Sequence, residues 1–219
     1  MLRKRLHSLQ KRSSMRVILA IVALFAVSCS SNTGRYIIEG TTFNQGYYYL
    51  SDGHRVVDSA LIVDGRYRFE GEVDSLVPIR YLASTSLRNP MEIARVTQVI
   101  LESGTISVSE DDDSPTGGLT VSGTDGNDAL RQFTYDGMKL RAEMRDTRDM
   151  KDREAVMKRY DALVAKVISK NSSNYAGTLL LSISKDRFSN EQRAKFYKKL
   201  SPAMKKTLAA QQVYEQLNK

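Results

Sequence analysis

Residues 64–73 read Asp-Gly-Arg-Tyr-Arg-Phe-Glu-Gly-Glu-Val, and this stretch sets the fold class. Asp64-Gly65 is a hairpin turn. After it, Tyr67, Phe69 and Val73 share one face with Gly71, while Arg66, Arg68, Glu70 and Glu72 lie opposite. Period-two alternation with the charges on one side describes a strand whose sheet is wet on that face.

Similar signals lie on both sides. Tyr36-Ile37-Ile38-Glu39-Gly40 opens the series, and residues 46–50 hold three tyrosines, good β-formers. Ser51-Asp52-Gly53-His54 is another hairpin turn, followed by the β-branched run 55–63. Pro78 begins or interrupts a segment in which Ile79, Tyr81 and Ala83 alternate with Arg80 and Leu82. Residues 84–89 form a turn before Pro90. Residues 96–101 and 105–108 flank Ser103-Gly104, an acidic loop covers 110–118, and Leu119-Thr120-Val121 closes the set. Short strands at this spacing predict an antiparallel β-sandwich or a strongly curved sheet over 36–123.

The period changes after Thr124-Asp125-Gly126-Asn127-Asp128. Leu130, Phe133, Gly137, Leu140 and Met144 make one helical stripe, and Val156, Tyr160, Leu163 and Val167 a second. The charged segment 145–154 between them is an exposed tip or connection, so the two helices can pair as a hairpin. Residues 178–183 read as a short buried helix. Ser189-Asn190-Glu191-Gln192 is a capping box that starts a helix through Leu200. Ser201-Pro202 caps a last helix expected to run to about Leu217. The expected fold class is α+β: an N-terminal antiparallel β-sandwich-like domain (36–123), then an all-helical region (124–219).

Ahead of the fold, residues 17–27 (VILAIVALFAV) form an apolar run preceded by six basic residues. A basic segment, a short apolar one and small residues make a secretory signal over 1–28. The run is too short to span a bilayer, which takes about 20 residues. Cys29 is the only cysteine and sits where a bacterial lipobox places its lipidated residue. It is read as the acylated start of the mature chain, with 29–35 as a tether. Ala26-Val27-Ser28 also fits the ordinary signal-peptidase pattern, which would leave a free thiol, and Met15 is an alternative start. The expected location is the cell envelope, anchored by lipid to the outer membrane and facing the periplasm.

The formal charge of +8 is unevenly spread. Residues 29–128 hold 7 Arg, no Lys and 15 acids, whereas residues 129–219 hold 20 basic residues and 10 acids. This predicts charge complementarity between two packed halves, plain solvated helix faces, or a basic half that meets lipid phosphates. A nucleic-acid partner is not expected in this compartment.

Few residues are candidates for chemistry. His7 leaves with the signal, so His54 is the only histidine of the mature chain, beside Asp52 and Ser51 in a turn. A triad needs its members held apart on a scaffold, so His54 is read as an exposed turn residue. Glu110, Asp111, Asp112 and Asp113 are possible Ca²⁺ ligands, but the spacing matches no EF-hand loop and a solvated loop is expected. The tyrosines at 47, 48 and 49 alternate faces, so an outward pair could meet a glycan or a partner strand. No catalytic residue, cofactor or metal site is assigned.

Several of these phrases resemble the domain called DUF4369: Tyr49-Leu50, Val57-Asp58-Ser59-Ala60, residues 64–71, Leu101-Glu102-Ser103-Gly104-Thr105-Ile106, Val121-Ser122-Gly123-Thr124 and Asn127-Asp128. The helical half is similar too, through Asn174-Tyr175-Ala176-Gly177, residues 189–192 and Leu200-Ser201-Pro202. The resemblance implies a Bacteroidota lipoprotein in which this module commonly precedes a thioredoxin-like domain with C-x-x-C, a pattern this sequence does not contain. The expected function is a non-enzymatic binding or scaffold module with a partner in the envelope. The alternative is an accessory acting in trans with a thioredoxin-like oxidoreductase.

Overall fold

Asp64 and Gly65 adopt φ of 51° and 70°, the left-handed backbone that a tight two-residue hairpin requires. They join strand β3 (Val56–Leu61) to β4 (Arg66–Glu72). In β4, Tyr67 and Phe69 are buried and Arg66, Arg68, Glu70 and Glu72 are exposed, as the alternation predicts. The computed structural model describes residues 34–84, 96–111 and 118–218. The remaining strands are β1 (Arg35–Thr41), β2 (Tyr47–Ser51), β5 (Ile79–Ser84), β6 (Val96–Ile100), β7 (Gly104–Asp111) and β8 (Gly118–Ser122).

The strands form two four-stranded sheets, ordered β4-β1-β7-β8 (sheet A) and β3-β2-β5-β6 (sheet B). Their inner faces share one apolar core, with Ile38, Tyr67, Phe69, Ile106 and Val121 from sheet A meeting Tyr48, Leu50, Leu82 and Val99 from sheet B. Each such side chain, fully buried, contributes about 1.5–3 kcal/mol. Tyr48 stacks on Tyr67 across the sandwich, ring centroids 3.9 Å apart. β3 also meets β4, and β6 meets β8, so the sheets approach each other along both sides. Two details depart from the sequence reading. β1 and β7 pair in parallel, Tyr36 opposite Gly104 through Gly40 opposite Val108. All of sheet B lies between them in sequence, long enough for the crossover that parallel pairing needs. Residues Glu110 and Asp111 belong to β7 and Gly118 to β8, so the acidic loop is shorter than 110–118.

Six helices follow: α1 (Asp125–Asp146), α2 (Met150–Lys170), α3 (Tyr175–Ile183), α4 (Asn190–Lys199), α5 (Pro202–Lys205) and α6 (Leu208–Leu217). The charged tip between α1 and α2 is a turn of three residues, with Asp149 accepting from the Lys151 and Asp152 amides. Gly137 lets α1 approach the Tyr160 ring of α2, where an added Cβ would lie 3.3 Å from a ring carbon. The buried stripe of α2 is Val156, Tyr160, Val164 and Ile168, so Leu163 and Val167 sit at its edge. The Ser189–Gln192 capping box forms with both reciprocal bonds. The expected single final helix is two: Thr207 starts a new one by accepting from the Ala210 amide. Its side chain is fully buried and also donates to Met204 O, which ends α5.

Strands and helices are joined by apolar packing and hydrogen bonds. Ile79 and Ile100 of sheet B meet Tyr175, Ala176, Ala209 and Met204. Glu102 accepts from the Gly126 amide (2.8 Å) at the start of α1. Asn127, itself buried, takes the Ile100 amide (2.9 Å) and gives to the Ile100 carbonyl (2.8 Å) and to Thr124 Oγ1 (2.8 Å). Among the described residues no ion pair joins a strand residue to a helix residue, and Asp128 pairs with Arg131 within α1.

Candidate functional site

The residues named from sequence do not come together. Cys29, Asp112 and Asp113 lie outside the described residues. Asp52 accepts from the His54 and Arg55 amides (2.9 and 3.0 Å), so it shapes the turn through the backbone. Those two amides, Arg55 first, hold the Asp52 carboxyl below the usual range. Ser51 Oγ likewise accepts from the Gly53 amide (3.0 Å). His54 is exposed at the tip.

Glu110 is not a solvated loop residue. One carboxylate oxygen accepts from Thr42 Oγ1, from the Tyr48 phenol (3.1 Å) and from Asn44 Nδ2 (3.4 Å). Burial raises the Tyr48 phenol above its ordinary value, and the Glu110 charge adds to this. Tyr67, stacked on it, is raised further, chiefly by burial. The cluster satisfies buried polar groups at one end of the sandwich. Among the described residues no group of three or more His, Cys, Asp or Glu is placed to hold a metal.

The phrases that carry the family resemblance prove to be structural. Gly123 has φ 98°, and a Cβ there would lie 2.6 Å from Thr105 O. Asp128 accepts from the Gly123 amide (3.4 Å), and Asn127 and Glu102 tie α1 to the strands. Gly71 makes room for the Tyr36 phenol, since a Cβ would meet its oxygen at 2.8 Å.

The surface left for binding is the outer face of sheet B. Register lines up Leu61 with Tyr47, then Ser59, Tyr49, Ala83 and Val96, then Val56, Ser51, Tyr81 and Gln98. None of these ten residues carries a charge. The outer face of sheet A, by contrast, carries Arg68 between Glu39 (3.7 Å) and Glu70 (3.3 Å). Among the described residues helices pack on sheet B at its Ile79–Ile100 end, and Thr134, Leu179 and Ile183 border β6 at Val96 and Gln98. Val56 is 57% and Val96 59% exposed. The Tyr47 and Tyr49 rings lie 6.2 Å apart, and Gln98 donates to the Tyr81 phenol (3.4 Å). A depression of about 520 Å³ is lined by Tyr49, Ser51, Gly53, Val56, Tyr81, Ala83 and Val96. Gly53, at φ 96°, leaves its Tyr81 wall open, where a Cβ would stand 3.3 Å from the ring. A larger cleft of about 910 Å³, lined by Leu61, Val63, Arg66, Arg68 and Glu39 among others, lies where β3 meets sheet A. Its lining is charged, with Arg68 paired to Glu39 and Arg66 beside them, whereas the sheet B depression carries no charge. The tyrosine alternation was readable from sequence: Tyr48 is core, and Tyr47 and Tyr49 face out. Tyr81, Val56, Val96 and Gln98 were not, because register alone places them beside these tyrosines.

The architecture is a two-sheet β domain joined to a helical region at the Ile79–Ile100 end of sheet B and along β8 of sheet A. Residues 36–130 match the model of DUF4369, a domain of unknown function, and the chain is a DUF4369-domain protein. The match runs past the last strand into α1, as the structural roles of Asn127 and Asp128 require. No curated protein and no solved structure matches the chain.

Proposed function

We propose that this protein is a non-catalytic module, anchored by lipid on Cys29 in the cell envelope, that holds a protein partner on the outer face of sheet B. The observation behind this reading is the charge-free tyrosine face, whose Tyr47, Val56 and Val96 are exposed among the described residues. Buried interface centres are depleted in charge and enriched in tyrosine, whose amphipathic ring gives contact area at low entropic cost. Large exposed apolar patches mark such surfaces. The anchor reading comes from the apolar run 17–27 followed by the single cysteine. The outer membrane, periplasm-facing, is the proposed site.

Two experiments test this. Intact mass of the protein purified from membranes should show removal of residues 1–28 and acyl chains on Cys29, and Cys29→Ala should release it from the membrane. A photo-crosslinking residue placed at Val96 in cells should give a discrete product that weakens with Tyr81→Ser. The same residue at Arg68, on the outer face of sheet A, should give none. Equal yields from the two faces would refute the assignment of the surface.

A further inference from the structure

The geometry points to a membrane-docking surface on the α5–α6 flank of the fold, formed by Leu76, Leu208 and the lysines at 198, 199, 205 and 206, that takes anionic phosphate headgroups of the bilayer. The inference rests on the lipid anchor at Cys29 and says which way the anchored protein lies.

The chain leaves the fold at Gly34, whose carbonyl accepts from the Val73 amide (2.8 Å). Five residue steps separate Gly34 from Cys29, a reach of at most about 18 Å. Whatever surrounds Gly34 is therefore held near the headgroups. On one side the chain runs from Val73 into a turn in which Asp74 accepts from the Leu76 and Val77 amides (3.0 and 3.1 Å). The Leu76 carbonyl in turn accepts from the Leu208 amide (3.0 Å), which brings the start of α6 against this turn. Leu76 is 55% and Leu208 48% exposed, two branched apolar residues joined through their backbones.

Lysines adjoin them. Residues 198–206 read Lys-Lys-Leu-Ser-Pro-Ala-Met-Lys-Lys. The Lys205 ammonium donates to Lys198 O (3.1 Å), which brings the two pairs together. Among the described residues none of the four makes an ion pair with a carboxylate. Lysines in the last turns of α4 and α5 also favour the helix dipoles, which accounts for their charge but not for exposed leucines beside them. The carboxylate closest in sequence to Leu76, Asp74, is held by Arg80 at 3.0 Å. Glu102 and Asp125 line a cleft together with Ala203 and Met204 of α5, and Glu102 is spent on the Gly126 amide. Anionic lipid attracts the four lysines, so the protein leans onto α5 and α6. The Tyr49–Val96 row of sheet B lies about 13 Å along β5 from Ile79, four residues away.

The test uses the full chain, purified with its acyl chains and reconstituted into vesicles of phosphatidylcholine with phosphatidylglycerol. Acylation consumes the only natural thiol, so Ala203→Cys on α5 and Arg148→Cys at the α1–α2 tip each accept one environment-sensitive dye. The dye at 203 should shift to the blue and be quenched by headgroup nitroxide lipid, and the dye at 148 should do neither. The shift should be lost in high salt and in Lys205→Glu/Lys206→Glu. Lys205→Gln/Lys206→Gln should lose part of it, and serves if the Glu pair fails to fold. No shift at 203 while intact mass shows acylated Cys29 overturns the docking surface and leaves the anchor standing. An equal shift in phosphatidylcholine alone overturns the headgroup assignment. An unmodified Cys29 overturns the anchor, and the docking surface with it.

Discussion

Replacing Asn127 by Ala should destabilise the protein more than its small size suggests. The Asn127 amide satisfies both backbone groups of Ile100, a residue with no solvent access. Removing it strands a buried N–H and a buried C=O, each worth about 1–3 kcal/mol. The expected loss is roughly 2–5 kcal/mol, a large part of the 5–15 kcal/mol that is usual for a domain. Asn127→Asp separates the bonds from mere packing. It keeps the volume and can still accept from the Ile100 amide, but the carboxylate faces the Ile100 carbonyl. Burial and that carbonyl raise its folded pKa above the unfolded value of about 3.9. Below the unfolded pKa the protonated acid donates to the carbonyl and the deficit is smallest. As pH rises through the folded pKa that contribution is lost and the deficit grows. Urea unfolding followed by helix and tyrosine circular dichroism, near pH 4 and near pH 7, reads both effects. A loss under about 0.5 kcal/mol for the Ala variant, the low end for a net hydrogen bond, would refute the reasoning. So would a deficit in the Asp variant that does not change with pH.

Gly40→Ala should cost about 1–3 kcal/mol by overpacking: its Cβ would overlap the Tyr67 phenol and lie 2.7 Å from Val108 O, and Tyr67 is backed by the Tyr48 stack. An unchanged urea midpoint would show that Tyr67 can retreat. In alkaline titration followed by ultraviolet absorbance, Tyr48 should ionise above the ordinary value of about 10, because it is buried and faces Glu110. Glu110→Gln should bring it back down, and a curve that does not move would remove Glu110 as a cause. Burial alone would raise the Asp74 carboxyl, but the Val77 amide, Arg80 and the Leu76 amide outweigh it and leave it depressed. The stability it contributes is present above the unfolded pKa and is lost as pH falls through the folded one. Asp74→Asn should therefore flatten the acid limb of stability, by less than about 1 kcal/mol because the pair is partly solvated. An acid limb as steep as that of the parent would count against this role.

Local structure was legible from the residues wherever a short-range rule applies. The Asp64-Gly65 hairpin, the alternation of β4, the capping box at Ser189 and the Ser201-Pro202 start are each set by residues within a few positions of one another. The change of period near residue 124 separated strands from helices for the same reason. The DUF4369 phrases were readable as well, but not what they do: Asn127 and Glu102 look polar and exposed until α1 is placed against the end of β6. Whatever depends on partners distant in sequence emerged with the packed fold. Parallel pairing of β1 with β7 needs all of sheet B to intervene. Glu110 became a half-buried acceptor because Thr42 and Tyr48 arrive from another part of the chain. The face of β5 that turns inward could not be read from Ile79, Tyr81 and Ala83 alternating with Arg80 and Leu82. Sheet packing buried Leu82 and turned Tyr81 and Ala83 outward beside Tyr49. The candidate binding face exists only through that cross-strand register, a property of four strands together and of none alone.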